Sequence, residues 1–232
     1  MTTSSLKIKS GPFLDFLDKW VSELPILRLP EPERSALLAV DLVAGFCDAG
    51  PLAGPRARAL AAPAAAWMRA AWQRGLTTQL LLQDTHSPDA LEFFAWPPHC
   101  VRGTAEAESV AELKALPFYD RLLLIEKNTL SSDMQTSLGG WLDTHREVDT
   151  FIVIGDCTDL CVYQLAMFLR LDANARRLQR RVIVPAELVD TYDYPVETAQ
   201  ASGGLPHPGD LMHALALYQM ALNGVEVVKK VE

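Results

Sequence analysis

The chain has 232 residues, a formal net charge of −8 at pH 7 and a sequence pI near 5.1. This length suffices for one large core, and the acidic balance argues against a sequence-independent hold on nucleic acid, which needs cations to neutralise phosphates. The first residues lack the apolar core of a secretory signal, and no stretch reaches the roughly 18 apolar residues that a membrane-spanning helix needs. We therefore predict a cytoplasmic protein that binds neither nucleic acid nor membranes.

Strands and helices are predicted to alternate along most of the chain. An amphipathic helix over residues 12–24 comes first, and Pro25 and Pro30 lie in the linker that follows it. The predicted buried strands are LLAV (37–40), QLLLQ (79–83), LLLIE (122–126), FIVIG (151–155), RVIVP (181–185) and VEVV (225–228). Segments of helical pattern lie between most of these strands, at 55–75, 159–179 and 209–224.

This alternation predicts the fold class. Parallel neighbours need a crossover connection, so we expect a three-layer αβα fold with a doubly wound, mainly parallel sheet. Residues 1–34 are predicted to be an N-terminal extension with a helix, and residues 35–232 a single α/β domain. The spacing of the cysteines suggests no disulfide framework, so we expect four free thiols: Cys47, Cys100, Cys157 and Cys161.

Polar and reactive side chains follow the predicted strands at their carboxyl ends. Asp41 follows the first strand and Lys127 the third. Asp84 and His86 follow the second strand, and Cys161 begins a helix after a short turn behind the fourth. In open α/β sheets, ligands bind outside the carboxyl ends of the strands, near the point where the strand order reverses. We therefore expect these side chains to meet at one edge of the sheet.

The second of these strand ends has the composition of a metal site. Asp84 and His86 are two residues apart, so both side chains point to the same face if the strand conformation continues. His99 follows after a loop that contains two prolines, and Glu92 lies between. Histidine together with carboxylate suits Zn, Fe or Mn better than Ca or Mg, so a divalent metal ion is predicted. The structural alternative is a capping aspartate with ordinary surface or core histidines.

Cys161 is the best-placed nucleophile among the thiols. A position at the start of a helix favours a thiolate, and Lys127 would lower the pKa of this thiol further if the two side chains meet. Asp41 could then take the thiol proton and return it to a leaving amine. Cys157 competes for this role, but it lies at the strand exit and not at the start of the helix. Each of these residue types is also common in purely structural positions.

Four segments in this order resemble the isochorismatase-like cysteine hydrolases, and among them the nicotinamidases. The segments are LLAVDLVAGFC (37–47), QDTHSPDALEFFAWPPHCVRGTAEAE (83–108), LIEKN (124–128) and VIGDCTDLCV (153–162). The second and fourth are specific to the family, and the resemblance extends over roughly residues 35–228.

The resemblance implies a role for each candidate residue. It implies a catalytic triad of Asp41, Lys127 and Cys161 that hydrolyses a small amide through a thioester, and a metal ion that holds the pyridine nitrogen of the substrate. A cis peptide between Asp156 and Cys157 is implied, with the N–H groups of Cys157 and Cys161 as the oxyanion hole. The implied metal ligands are Asp84, His86 and His99, with Glu92 as an extra ligand in some members. Phe46 and Trp96 are expected to be pocket walls or ordinary core aromatics.

Departures from the nicotinamidase pattern keep other activities open. Residues 42–45 lack the polar groups that nicotinamidases commonly carry after the aspartate, and Asp156 and Cys157 stand where small neutral residues are usual, so we expect an added charge beside the oxyanion hole. A carbamoyl amidase is the closest alternative. Isochorismatases proper lack both the cysteine and the metal ligands, so the presence of both in this sequence argues against that activity. A catalytically silent ligand-binding module on the same fold is the alternative outside enzymes.

The family commonly forms dimers or tetramers, so a homo-oligomer is expected.

Overall fold

The structure, a computed structural model, describes residues 10–232, so residues 1–9 of the predicted N-terminal extension lie outside it. The α-helices are α1 (Gly11–Ser22), α2 (Ala44–Cys47), α3 (Pro55–Gln73), α4 (Ala111–Lys114), α5 (Leu138–Thr144), α6 (Cys161–Arg176), α7 (Val196–Ser202) and α8 (Gly209–Leu222). The strands are β1 (Ile26–Leu27), β2 (Ser35–Val40), β3 (Gln79–Asp84), β4 (Leu123–Lys127), β5 (Thr150–Asp156), β6 (Arg181–Pro185), β7 (Val189–Asp190), β8 (Glu226–Val228) and β9 (Lys230–Val231). No helix among residues 10–232 is both long and apolar enough to cross a membrane.

The central sheet has the strand order β4-β3-β2-β5-β6-β8, and every pairing along it is parallel. The short strand β7 pairs with the last two residues of β5. The chain builds outward from β2 to β4 and then returns to the other side of β2 with β5, so the strand order reverses between β2 and β5. The prediction of a doubly wound, mainly parallel sheet is confirmed.

Apolar residues of β2 alternate between two faces of the sheet, as the two-residue repeat of a strand requires. Ala36, Leu38 and Val40 belong to a buried cluster with residues of α5, α6 and α8. Leu37 and Ala39 belong to a second buried cluster with residues of α3 and α4. Helices therefore cover both faces, and the predicted three-layer αβα architecture is confirmed.

The short elements are where the structure departs most from prediction. The predicted long helices and strands are present, and their ends shift by no more than three residues. Asp84 and Lys127 were predicted to follow their strands, but each is the last residue of its strand, β3 or β4. The two-residue strands β1, β7 and β9 were not predicted, because segments this short have no detectable periodicity.

The segment before β2 is tied to the rest of the protein at two places. Strand β1 pairs with β9, which places the predicted linker against the end of the chain. The aromatic rings of Phe13, Phe16 and Trp20 on α1 surround Tyr218 on α8, with centroid distances of 5.3, 6.0 and 5.7 Å. The aromatic face of α1 thus packs on α8, while Phe13 and Phe16 stay partly exposed.

Gly155 allows β2 and β5 to approach each other closely at the point where the strand order reverses. Gly155 is the register partner of Val40 and has a φ of 115°. A Cβ atom at this position would overlap the backbone carbonyl oxygen of Val40, and side chains rarely adopt this φ. Asp41 and Asp156 directly follow these two residues, so a glycine contact lies at the base of the site.

Candidate active site

The carboxyl ends of β2, β3 and β4 bring three charged side chains together. Asp84 and Lys127 are register partners on β3 and β4, and Asp41 directly follows β2. The side chain of Asp41 is anchored from the neighbouring strand, because its Oδ1 accepts the backbone N–H of Asp84 at 2.8 Å. Asp41 has a positive φ of 53°, a conformation that is rare for residues with a side chain and is found at functional sites.

Lys127 connects the two carboxylates to Cys161. Its Nζ lies 2.8 Å from Asp41 Oδ2, forms an ion pair with Asp84 Oδ1 and lies 3.6 Å from the Cys161 Sγ. One ligand atom each from Asp41, Asp84 and Cys161 lies within 4.8 Å of the others. All four side chains are buried. The structure therefore assembles an acid, a cation and a thiol in one buried group.

The three charged groups shift each other's pKa in different directions. Burial and the neighbouring Asp84 raise the pKa of Asp41 to about 6, against the opposing effect of Lys127. At Asp84, the effect of burial is outweighed by Lys127 and the two histidines, so its pKa is lowered. Burial opposes the charge of Lys127, but the two carboxylates raise its pKa well above the usual value. Asp41 is thus the group that can exchange a proton near neutral pH.

The thiol of Cys161 differs from the prediction. Burial raises its pKa well above the usual value, and Asp41 and Asp84 raise it too, while Lys127 lowers it. The predicted net lowering of the pKa is therefore wrong, because desolvation and two nearby carboxylates outweigh one lysine. A protonated thiol needs a base beside it, and a carboxylate oxygen of Asp41 lies within 4.8 Å of the Cys161 sulfur.

The turn between β5 and α6 contains the second thiol and two free amide groups. The peptide bond between Asp156 and Cys157 is cis. The N–H groups of Leu160 and Val162 both donate to the Cys157 carbonyl at 3.1 Å, while the N–H groups of Cys157 and Cys161 have no hydrogen-bond partner within residues 10–232. Burial and Asp156 raise the pKa of Cys157 well above the usual value. All four cysteines are free, as predicted.

Asp156 does not carry the charge that we expected at neutral pH. Its side chain is 2% exposed, and burial together with nearby carboxylates raises its pKa to about 8, against a hydrogen bond with Cys157 that lowers it. The carboxyl group is therefore mainly neutral at pH 7. The expectation of an added charge beside the free amides is corrected, because desolvation disfavours the ionised form.

Asp156→Asn should change stability in a pH-dependent way. The folded protein binds a proton at Asp156 more tightly than the unfolded chain does, since the pKa rises from 3.8 to about 8 on folding. The free energy of unfolding of the wild type should therefore fall as the pH rises through this range. We expect the asparagine variant to match the wild type near pH 4 and to exceed it at pH 9 by up to about 5 kcal/mol.

Urea unfolding at the two pH values measures this difference. The exposed Asp120, replaced by asparagine, is the control and should show no pH-dependent difference. A gain or loss in Asp156→Asn that is equal at pH 4 and pH 9 would contradict the neutral carboxyl.

A second group beside Lys127 has the composition of a metal site. One ligand atom each from Asp84, His86 and His99 lies within 4.8 Å of the others. Asp84 Oδ2 is 3.5 Å from His86 Nε2 and 3.8 Å from His99 Nε2. Asp84 Oδ2 and both ring nitrogens of His86 are buried with no hydrogen-bond partner among residues 10–232. Such orphaned polar atoms fit a site for a positive ion.

The orientation of His99 also fits this role. Its Nδ1 lies 2.8 Å from the Pro97 carbonyl oxygen, and a carbonyl only accepts, so Nδ1 carries the proton and Nε2 keeps a lone pair. Glu92 is not part of the group within 4.8 Å. One of its carboxylate oxygens accepts the Leu130 N–H at 3.2 Å, and the other is buried without a partner within residues 10–232.

Aromatic rings surround the histidine pair. The predicted wall residue Phe46 lies against His99 with ring centroids 5.5 Å apart. Phe93, which sequence reasoning missed, meets His86 and His99 edge-on at 5.4 and 5.7 Å. Trp96 does not join this group but meets Tyr192 edge-on at 6.1 Å. Phe93 lies in the same sequence segment as the predicted ligands. The aromatic residues next to it in that segment were the only sequence signal that could have indicated a place at the site.

Comparison with known proteins identifies the family. Residues 35–229 match the model of the isochorismatase domain, which is most of the chain. The protein therefore belongs to the isochorismatase family, as the four sequence segments predicted.

Individual relatives and solved structures are similar to this chain over most of its length. Nicotinamidase 1 of Arabidopsis thaliana is 32% identical over 163 residues, and the match covers 64% of this chain and 64% of that protein, so the chain spans just under two thirds of its length. A cysteine hydrolase from Pseudomonas syringae pv. phaseolicola 1448A has the same fold, with a TM-score of 0.70, 22% identity and coverage of 90% of this chain and 94% of that one. The pyrazinamidase of Pyrococcus horikoshii in complex with zinc gives a TM-score of 0.64 at 22% identity, with coverage of 84% and 99%.

Proposed function

We propose that this protein is a cysteine amidohydrolase that converts nicotinamide, or a closely related heteroaryl amide, to the acid and ammonia. The observation that carries this proposal is the buried contact of the Cys161 Sγ with Lys127 Nζ at 3.6 Å, in a group that also contains Asp41. The similarity to a plant nicotinamidase supports the choice of substrate.

In the proposed mechanism, Asp41 moves the protons. The Asp41 carboxylate takes the proton of the Cys161 thiol as the sulfur attacks the amide carbonyl, so that a C–S bond forms and the carbonyl oxygen becomes an oxyanion. The oxyanion then collapses, the C–N bond breaks, and Asp41 gives its proton to the leaving nitrogen, which departs as ammonia. A pKa of about 6 allows one group to take and return a proton near neutral pH.

The second half of the reaction repeats the same proton transfers. Water attacks the thioester while Asp41 takes a proton from it, the C–S bond breaks, and the acid leaves as the thiol regains a proton. Lys127 holds Asp41 and stabilises the thiolate that forms beside it. The free N–H groups of Cys157 and Cys161 are the proposed donors to the oxyanion, and one such donor typically contributes about 3–4 kcal/mol to lowering the barrier.

A divalent metal ion fits the group of Asp84, His86 and His99. Three buried ligand atoms in one cluster, with the tautomer of His99 fixed by Pro97, are the donor set that zinc, iron or manganese prefers. When bound, the ion would supply a Lewis-acid anchor for the pyridine nitrogen of the substrate. Glu92 is a proposed further ligand through its unpaired oxygen, directly or through water. The zinc bound by the Pyrococcus relative makes zinc the first metal to test.

His86→Ala should abolish tight zinc binding. His86 supplies one of the three ligand atoms that lie within 4.8 Å of one another, so its removal leaves only Asp84 and His99 in this group. The loss in affinity should exceed the roughly 10–100-fold that changes in outer-shell partners cause. Calorimetry on the chelated protein measures this affinity. His145→Ala is the control, because this histidine bonds to its own helix. Equal zinc affinity in both variants would rule out the site.

Ammonia release from nicotinamide by the purified protein tests the activity itself. The assay is run on the protein as purified, after chelation and after reloading with zinc, iron or manganese. Turnover that is lost on chelation and restored by metal is the expected result. A zinc-loaded protein that releases no ammonia from nicotinamide but does so from an N-carbamoyl amide would replace the proposed substrate by the carbamoyl class. No turnover of either amide would favour the silent binding module.

Some predictions concern the protein beyond its site. The small-molecule amide is the proposed partner. A homo-oligomer, a dimer or tetramer, and a cytoplasmic location remain predictions, as does the division into an N-terminal extension (1–34) and a catalytic domain (35–232). Size-exclusion chromatography with light scattering of the full chain measures the oligomeric state.

A further inference from the structure

His207 lies beside the turn between β5 and α6, which we call the nucleophile turn because it leads into Cys161. The proposed mechanism does not use His207. Its Nε2 lies 2.8 Å from Asp159 Oδ2, and its Nδ1 lies 2.8 Å from the Tyr192 carbonyl oxygen. Both partners are acceptors, so the ring can donate to both when it carries two protons. Asp159 stands two residues before Cys161. His207 thus connects the segment at Tyr192 to the turn that carries the thiol.

The ring of Tyr192 is held by the same histidine. It stacks on His207 with ring centroids 3.8 Å apart and an interplanar angle of 12°. Its edge meets Trp96 at 6.1 Å and 87°, and Trp96 stands three residues before the metal-site residue His99. Burial, together with nearby Asp159 and Cys157, raises the pKa of the Tyr192 hydroxyl to about 12. Tyr192 therefore lies between the metal-site loop and the nucleophile turn.

Backbone hydrogen bonds also hold the segment that contains Tyr192 and His207 in place. Tyr194 and His207 exchange two backbone hydrogen bonds of 2.8 Å each, and helix α7 lies in the excursion between them. The stacked pair is therefore fixed by side chains on one side and by backbone bonds on the other. A ring held in this way is suited to be a rigid wall of a binding site.

We propose that Tyr192, positioned by its stacking on His207 and its edge contact with Trp96, determines the size of the ligand that can reach Cys161. Its ring, held between Trp96 and His207, limits the site to flat, single-ring amides. This inference rests on the proposed function for its choice of substrate. The proposal that Tyr192 limits access to Cys161 does not depend on which amide is hydrolysed.

Three variants distinguish the effect of the Tyr192 ring from the effect of its hydroxyl and from the effect of changing another tyrosine in the same segment. Tyr192→Ala removes the wall, and Tyr192→Phe keeps it. Tyr194→Ala is the matched control, because Tyr194 lies in the same segment but bonds to Ser202. The readout is the ratio of kcat/KM for quinoline-3-carboxamide to kcat/KM for nicotinamide.

Tyr192→Ala should raise this ratio by about 10-fold or more, since even one methylene group in a pocket changes discrimination by roughly 10–200-fold. The phenylalanine variant and the Tyr194 control should keep the wild-type ratio. An unchanged ratio in Tyr192→Ala, in an enzyme that still hydrolyses nicotinamide, would overturn the inference and leave the proposed function intact.

A second measurement does not depend on amide hydrolysis. Alkylation of Cys161 by iodoacetamide and by N-(1-naphthyl)iodoacetamide forms a C–S bond and releases iodide, and peptide mass spectrometry follows the labelled residue. Tyr192→Ala should increase the naphthyl rate relative to the small-reagent rate. If the wild type hydrolyses no amide, the proposed function fails, and this rate ratio alone decides whether Tyr192 limits access.

Discussion

Cys161→Ala is expected to reduce kcat for nicotinamide hydrolysis by about 10⁴-fold or more, as removal of a covalent nucleophile does in other hydrolases. The buried thiol lies 3.6 Å from Lys127 Nζ and within 4.8 Å of an Asp41 carboxylate oxygen, and none of the other three cysteines in residues 10–232 has this pair of neighbours. Without the sulfur, no thioester can form. Ammonia release at saturating substrate measures the effect.

Cys157→Ala is the matched control for the nucleophile. Cys157 lies in the same turn, but its thiol neighbours the carboxyl of Asp156 instead of an ammonium group. We expect a loss of no more than about 10-fold, far below that of the nucleophile. Zinc content and unfolding midpoint should be unchanged in both variants. A larger loss in Cys157→Ala than in Cys161→Ala would exchange the two roles.

Replacing Lys127 by methionine should cause the largest loss of stability. The side chain of Lys127 is 0% exposed and faces Asp41 and Asp84, which are each 1% exposed. Methionine has a similar shape but leaves two carboxylates buried beside each other without a cation. Removal of one partner from a buried ion pair costs about 3–5 kcal/mol. Urea unfolding of the chelated protein at pH 8 measures the loss.

An exposed lysine shows what the burial contributes. Lys114 pairs with Glu108 at 3.0 Å, but the two side chains are 42% and 61% exposed. Lys114→Met should cost less than about 1 kcal/mol, because exposed ion pairs contribute little. If Lys127→Met were as mild as this control, the carboxylates would not depend on Lys127 for their charge balance.

The sequence was sufficient to predict the sheet and the edge where the site lies. Long apolar runs identified six strands of the central sheet, and the residues after them identified Asp41, Asp84 and Lys127 as neighbours. Parallel strands place their carboxyl ends on one edge, so positions far apart in the chain could be brought together by topology alone.

The charge state of the site could not be predicted in the same way. The pKa of Cys161 depends on how completely the thiol is buried and on two carboxylates that lie beside its single lysine. Sequence position indicates which groups meet but not how much water remains among them. The same reason explains Asp156, whose carboxyl becomes mainly neutral through burial.

The wall formed by Tyr192 and His207 was missed for a different reason. Both residues come after strand β7, which has only two residues, and helix α7 lies between them in the chain. No motif marks such a segment, and its position beside the turn that carries Cys161 follows from the contacts of His207 with Asp159 and of Tyr192 with Trp96.

The approach of β2 and β5 at Gly155 has a consequence for how substitutions would be tolerated. The distance between the proton acceptor and the thiol is set partly by a contact between two backbones, one on each side of the reversal in strand order. Any side chain at position 155 would push Val40 away and carry Asp41 with it. In a mutational scan, substitutions of Gly155 should reduce activity as strongly as substitutions of Cys161, although Gly155 has no group that could take part in the chemistry.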